Sequence, residues 1–306
     1  MSNWQLKTPV VFIIFNRPDT TAKVFEAIRQ VKPLQLFVIA DGSRDDKPGE
    51  AEKCAAARAI IEQVDWKCEV IKNYSDINMG CQYRVSSGLN WVFSNIEEAI
   101  ILEDDCLPHP TFFQYCEELL EYYRYDRRIM SIAGVNFQAG QQRTEYSYYV
   151  SLYHDCWGWA TWKRAWQYFD FDMKLWQTIE NSGILTDKLS SFQAAKYWNH
   201  TFHSTYNGRI NSWFFRWLFS CWIQSGLGIF PNVNLISNIG FGRAATHTTS
   251  HSPYSNMKIG EIQFPLKHPP YVLQNSDADK FTQKTRFNTP IWSRAMARLQ
   301  KLIYKV

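Results

Sequence analysis

The sequence has no Cys-x-x-Cys pair and no His/Cys spacing suited to zinc, and its seven cysteines are an odd number. This argues against a disulfide framework or a zinc site and for reduced, mostly buried thiols, as in a cytoplasmic protein. No apolar stretch is long and charge-free enough to cross a bilayer. The polar segment Met1 to Thr8 leads straight into a strand, without the apolar centre of a signal peptide. Charge imbalance is small: 33 Lys+Arg against 29 Asp+Glu leaves +4, too little to mark a nucleic-acid binder. Internal repeats and low-complexity segments are missing too. The sharpest absence lies between Leu189 and Gly260, where the chain has neither Asp nor Glu.

What is present is apolar and patterned. With 306 residues and a 45% hydrophobic fraction, the chain can bury a sizeable core. Pro9 to Phe15 reads as a buried strand and Thr20 to Val31 as a helix, with Asp19 as its N-cap. Leu36 to Ala40 is a second strand, followed by an Ala-rich helix around Glu50 to Val64 and a short strand from Cys68 to Ile71. Gly80 opens a further helix through Phe93, and Pro108-His109-Pro110 precedes another. Such alternation predicts an α/β fold with a mainly parallel sheet flanked by helices, a Rossmann-like nucleotide-binding architecture. From about Met130 the pattern changes to strand-like segments such as Tyr146 to Tyr153 and to Trp-rich helices. The predicted organisation is a nucleotide-binding Rossmann-like half over 1–130, an aromatic-rich acceptor-side half of the same domain over 131–275, and a basic amphipathic tail over 276–306.

The run Ala99-Ile100-Ile101-Leu102 ends abruptly in Glu103-Asp104-Asp105. In an α/β sheet the carboxyl ends of the strands are where ligands bind, so three acids there have a chemical meaning. Ionised carboxylates in one small volume repel one another, and a Mg²⁺ or Mn²⁺ ion that also grips a ligand phosphate relieves the repulsion. Arg17, just past the first strand, and Asp41, just past the second, project at the same edge. A cation, a base-reading carboxylate and a metal triplet together suit a nucleoside diphosphate.

On the pieces Phe15-Asn16-Arg17, Ala40-Asp41-Gly42, Gly80-Cys81-Gln82-Tyr83-Arg84, Ile101-Leu102-Glu103-Asp104-Asp105 with Phe112-Phe113-Gln114-Tyr115, and Phe241-Gly242-Arg243 with His247, the chain resembles the metal-dependent GT-A glycosyltransferases. Within them it is most similar to N-acetylglucosaminyltransferase I and its bacterial relatives. The resemblance implies a GT-A fold and inverting transfer of N-acetylglucosamine or a related hexose from a UDP-sugar to a glycan or lipid-linked glycan. It places Asp41 on the uracil, Phe15 and Arg17 near the base, Asp104 toward ribose or sugar, Glu103 beside the site and Asp105 on Mn²⁺ (or Mg²⁺). Arg84 and Arg243 are candidate helpers at the diphosphate, and His247 could close over it as a further metal contact. Each Arg also reads as a surface or capping cation, and His247 as a loop bystander.

An inverting transfer needs a base for the acceptor hydroxyl. In the resembling enzymes it lies near what is here Ser212-Trp213-Phe214-Phe215, where this chain has Phe214 and no acid. Asp155, beside the Trp157-Gly158-Trp159 turn whose indoles could wall a sugar pocket, is the strongest remaining candidate, ahead of His200 and His203; a cap or a salt bridge is its other reading. A binding-only protein with the same nucleotide pocket is the alternative function. A nucleotidyltransferase ranks third, because Phe15-Asn16-Arg17-Pro18 is not a Gly-rich phosphate loop. The terminal segment interleaves Lys284, Arg286, Arg294, Arg298, Lys301 and Lys305 with Ile291, Trp292, Met296, Leu299, Ile303 and Tyr304. That pattern fits a peripheral contact with an anionic membrane surface, or a solvated helix packed on the domain.

Overall fold

The computed structural model describes residues 4–189, 191–241 and 254–287. Val10–Ile14 (β1) leads to the helix Pro18–Val31 (α1), Gln35–Ala40 (β2) to Glu50–Ile61 (α2), and Glu69–Tyr74 (β3) to Cys81–Asn95 (α3). Glu98–Glu103 (β4) is followed by the short strand Cys106–Pro108 (β5) and the helix Thr111–Tyr122 (α4). Beyond these come Ile129–Ala133 (β6), Tyr148–Ser151 (β7) and Trp159–Trp162 (β8), then the helices Lys163–Trp166 (α5), Trp176–Ile179 (α6), Ile184–Leu189 (α7), Phe192–Tyr206 (α8) and Trp213–Ile223 (α9). Leu227–Pro231 (β9), Ile236–Asn238 (β10), Ser276–Thr282 (α10) and a π-helical turn at Gln283–Phe287 complete the described chain.

One sheet organises these elements, in the order β3-β2-β1-β4-β8-β6-β9-β7. It is parallel from β3 through β4 and between β6 and β9, and antiparallel at β4–β8, β8–β6 and β9–β7. Alternate residues of a strand face opposite sides. Val10, Phe12 and Ile14 of β1 therefore pack with Val24, Phe25 and Ile28 of α1 and Phe112 and Leu119 of α4. Val11 and Ile13 pack instead with Phe37, Ile39, and Val85, Leu89 and Val92 of α3. Strands covered on both faces are apolar throughout, which is why β1, β2 and β4 read so plainly in the sequence.

Several local expectations change. Pro18 takes the first helical position of α1 and Arg17 the N-cap position, while Asp19 lies in the first turn, where its charge suits the helix dipole. Of the two indoles of the Trp157-Gly158-Trp159 turn, that of Trp159 is buried in β8, which inserts between β4 and β6 in the sheet, and so walls no pocket, while Trp157 is half-buried. Gly158 makes the turn into β8 at φ +57°, and a Cβ there would lie 2.3 Å from Ile236 Cδ1. The boundary near residue 130 thus falls inside one continuous sheet. The first part of the expected basic tail packs on the sheet as well, since buried Asp279 accepts hydrogen bonds from the Ser151 hydroxyl and the Leu152 N–H. Residues 288–306 lie outside the described chain. Among the described residues, no helix is long and apolar enough to cross a membrane.

His154, in the segment between β7 and β8, is buried and bonded through Nδ1 to Ser131 Oγ at 2.6 Å. Burial pushes its pKa down to about 3. The folded state therefore keeps it neutral where the unfolded chain, with an ordinary value of about 6.5, binds a proton, so stability is lost as pH falls through that window. His154→Asn, which can still bond Ser131, is expected to lose less stability than the wild type between about pH 6.5 and 4 in urea titrations. Equal losses in the two proteins would remove His154 from the acid response.

Candidate functional site

Because β1, β2 and β4 run parallel, their carboxyl ends share one edge, with Ile13 of β1 opposite Glu103 and Ile14 opposite Ala40. The backbone N–H of Phe15 donates to Asp104 Oδ2 at 3.1 Å. Arg17 forks across both neighbouring acids: Nη1 donates to Asp105 Oδ2 at 2.8 Å and Nη2 pairs with Asp104 Oδ1. From the other half of the chain, β10 pairs antiparallel with β5, placing Asn238 opposite Cys106. The Ile239 N–H then donates to the Asp105 carbonyl at 2.8 Å. Gly240 follows, where a Cβ would stand 2.2 Å from Asp105 Oδ2 and 2.5 Å from Arg17 Nη1. Only glycine lets this loop lie on the carboxylate. Phe241 continues edge-on to Trp157, with ring centroids 5.7 Å apart.

Among the described residues, the edge is short of positive charge. Glu103 is half-buried and has no hydrogen-bond partner among the described residues; burial, then Asp105 and Asp104, push its pKa up to about 8. Burial outweighs the nearby guanidinium at Asp104, whose pKa rises to about 6. Burial alone would lower the Arg17 pKa, but Asp104 and Asp105 together raise it above its ordinary value. Among the described residues, three carboxylates thus face a single guanidinium.

Among the described residues, no three His, Cys, Asp or Glu side chains converge closely enough to cage a metal ion unaided. The donor set nevertheless fits a hard divalent cation of the Mg²⁺ or Mn²⁺ type. Mg²⁺ is commonly held by one or two carboxylates plus substrate phosphates and water, at about 2.1 Å, instead of by an all-protein cage.

Three residues expected to touch ligand are committed to the chain itself. Asp41 Oδ1 accepts from the N–H groups of Gly42 (3.0 Å) and Met79 (2.9 Å), and Oδ2 from the Gly80 N–H (2.9 Å) and the Asn78 amide (3.2 Å). With four donors on two oxygens it clasps the 77–80 loop and has no lone pair left for a uracil N–H. Asp41→Ala is expected to cost about 1–3 kcal/mol in denaturant unfolding, the price of leaving buried donors unmatched; unchanged stability would refute the clasp. Arg84 is buried, donates through Nε to the Ala40 carbonyl at 3.0 Å and through Nη2 to Asn73 Oδ1 at 2.7 Å, and so ties β2 to β3 instead of reaching a diphosphate.

Asp155 is the largest correction. It has 0% exposure; Oδ1 accepts from the Trp157 N–H at 2.9 Å and Oδ2 is ion-paired with Arg286. A carboxylate so enclosed cannot reach an acceptor hydroxyl, so its salt-bridge reading holds and the base role does not. Phe214, where an acid was expected, lies in α9 against Trp213 and Phe215. His200 and His203 line a separate cavity of about 510 Å³ with Ile179, Leu185 and Phe192, where His203 Nδ1 pairs with Glu180. Arg243 and His247 lie outside the described residues.

Four contributors escaped the sequence reading. Gly240 could have been suspected from Ile239-Gly240-Phe241-Gly242, and Asn78 only from the loop it closes. Glu50 accepts from the Asn16 amide at 2.8 Å and from the Arg44 N–H at 2.8 Å, and its pairing with Arg44 holds its pKa down at about 2. The Arg44 guanidinium in turn lies 5.8 Å from the Phe15 ring centroid at the rim of the crevice.

No protein-family model matches the sequence, and no curated protein matches it. Among solved structures, UDP-glucose pyrophosphorylase complexed with UDP-glucose aligns with a TM-score of 0.27 at 14% identity, over 47% of this chain and 62% of that one. Apo UDP-glucose pyrophosphorylase aligns at 0.25 and 12% identity, over 46% and 63%. The match covers less than two thirds of either pyrophosphorylase, and likeness this shallow bears on neither fold nor activity.

Proposed function

We propose that the β1–β2–β4 edge binds a nucleoside diphosphate sugar with a divalent cation, and that the protein transfers the sugar to a glycan or glycoconjugate acceptor. The observation that carries this reading is the excess of carboxylate over guanidinium at Glu103, Asp104, Asp105 and Arg17, at the ligand-binding edge of the sheet. The preference for a UDP-linked hexose and for inversion follows from the GT-A resemblance.

Asp105 and Asp104 would hold the ion, with Glu103 beside them. When bound, the metal neutralises negative charge growing on the departing diphosphate. The Phe15 N–H fixes Asp104, and the Ile239 N–H anchors the Asp105 backbone. Gly240 lies against Asp105 and restricts water there, while Arg44 over Phe15 offers a cation and a flat face at the rim. In the transfer the acceptor oxygen bonds to the anomeric carbon, the bond from that carbon to the diphosphate breaks, and the nucleotide leaves with its electron pair. The acceptor proton goes to a base other than Asp155.

The test is incubation with UDP-sugars, Mn²⁺ and simple sugar acceptors, with products separated by chromatography. Glycosylated acceptor and UDP are expected. Binding without transfer would favour the binding-only alternative; in a parallel reaction with pyrophosphate in place of the acceptor, formation of UTP and sugar 1-phosphate would favour a nucleotidyltransferase.

A further inference from the structure

We infer that Arg17 is a resident counter-cation which the metal ion displaces, and that its guanidinium then passes to the incoming diphosphate, so that ion and nucleotide bind as a pair. This rests on the proposed metal–diphosphate site and concerns how that site is loaded.

The argument starts from which oxygens are free. Arg17 does not chelate one carboxylate with both fork nitrogens; it uses one oxygen of Asp104 and one of Asp105. The second oxygen of Asp104 already accepts the Phe15 N–H, and the second oxygen of Asp105 lies 3.5 Å from Cys106 Sγ. Gly240 closes one side of Asp105 Oδ2, since even a methyl group there would collide with both that oxygen and Arg17 Nη1. Arg17 fills a further approach to Asp105 Oδ2, at 2.8 Å through Nη1. A divalent ion about 2.1 Å from this oxygen and a guanidinium hydrogen-bonded to it would be two cations on one lone-pair region, and they exclude each other.

Arg17 is also built to move. Its carbonyl is pinned by the Thr21 N–H at 2.9 Å and the Thr21 hydroxyl at 2.8 Å, while its side chain is 19% exposed and, among the described residues, bonded to the two acids alone. It occupies the N-cap position of α1, whose first turn no side chain caps. Because Arg17 is itself the N-cap residue, a guanidinium leaving the carboxylates stays tethered at the carboxyl end of β1, within reach of a ligand at the same edge. Arginine's planar fork matches phosphate oxygens as readily as carboxylates.

The consequence is a coupling. Mn²⁺ alone must evict Arg17 without giving it a new partner, and so binds weakly; with UDP present the guanidinium is re-partnered and binding of both strengthens. Electron paramagnetic resonance of free Mn²⁺, with and without UDP, reads this in the wild type, Arg17→Gln and Arg17→Lys. The expected result is that Arg17→Gln binds Mn²⁺ alone on the order of tenfold tighter, while the UDP-induced gain in Mn²⁺ affinity collapses toward unity. Arg17→Lys should keep much of the coupling. A merely structural Arg17 would, when replaced, lower the melting temperature and leave Mn²⁺ affinity equal or weaker, and that result overturns the displacement. An undiminished UDP-induced gain in Arg17→Gln overturns it too. If neither wild type nor Arg17→Gln takes up Mn²⁺ in any condition, the metal reading itself fails, and the displacement with it.

Discussion

Replacing Asp105 by Asn is expected to leave the protein folded and to weaken Mn²⁺-dependent UDP binding by about 100-fold or more, as read by calorimetry. The amide keeps an oxygen that can accept from Arg17 Nη1, now at 2.8 Å from the carboxylate, so the local packing has little reason to change. What disappears is the anionic oxygen at the point where β4, β1 and the Gly240 loop converge. A neutral amide is a poor ligand for a hard dication, and without that ion a diphosphate beside the remaining acids is left with Arg17 as its one counter-charge among the described residues. Affinity equal to the wild type, with the melting temperature unchanged, would show that the carboxylates serve another purpose.

Arg286→Met is expected to be the most damaging single change for stability, at about 3–5 kcal/mol in denaturant unfolding. Asp155 has 0% exposure and Arg286 is the one cation paired with it among the described residues, so the substitution strands a charge in the interior. The guanidinium also lies 3.8 Å from the Phe137 ring centroid and 5.4 Å from that of Trp157, so the contact is a cation between aromatic faces as well as an ion pair. The double variant Asp155→Asn with Arg286→Met should recover a substantial part of the loss, because no unpaired charge remains. If the single variant were as stable as the wild type, the C-terminal segment would not be held through this pair. The pair also links that segment to the candidate site, since Trp157, anchored by Asp155 Oδ1, meets Phe241 next to Gly240.

The parts of the fold that were legible in the sequence are those whose signal is local. β1, β2 and β4 are covered on both faces and read as apolar runs, and Glu103-Asp104-Asp105 stood out because the run ends in them. β8 was hidden: Trp159 to Trp162 is four residues long and aromatic, and what makes it a strand is antiparallel pairing with β4 and β6, far away in sequence. The roles of single polar residues were hidden for the same reason. Asp41 is saturated by donors from residues 78–80, Arg84 by carbonyls at the ends of β2 and β3, and Asp155 by a partner 131 residues away. Each looked available because its partner is invisible to local pattern. Conversely, Gly240 matters for space at Asp105, which no periodicity reports.

The central claim is that a divalent cation and a nucleoside diphosphate meet on Asp104 and Asp105. Anomalous diffraction at the manganese edge, from crystals grown with Mn²⁺ and UDP, tests it most directly. The expected result is a peak about 2.1 Å from a carboxylate oxygen of Asp105 and in contact with the diphosphate, with Arg17 withdrawn from that oxygen. Bound UDP with no manganese peak at this edge, or manganese bound elsewhere while Arg17 still bridges Asp104 and Asp105, would contradict the account.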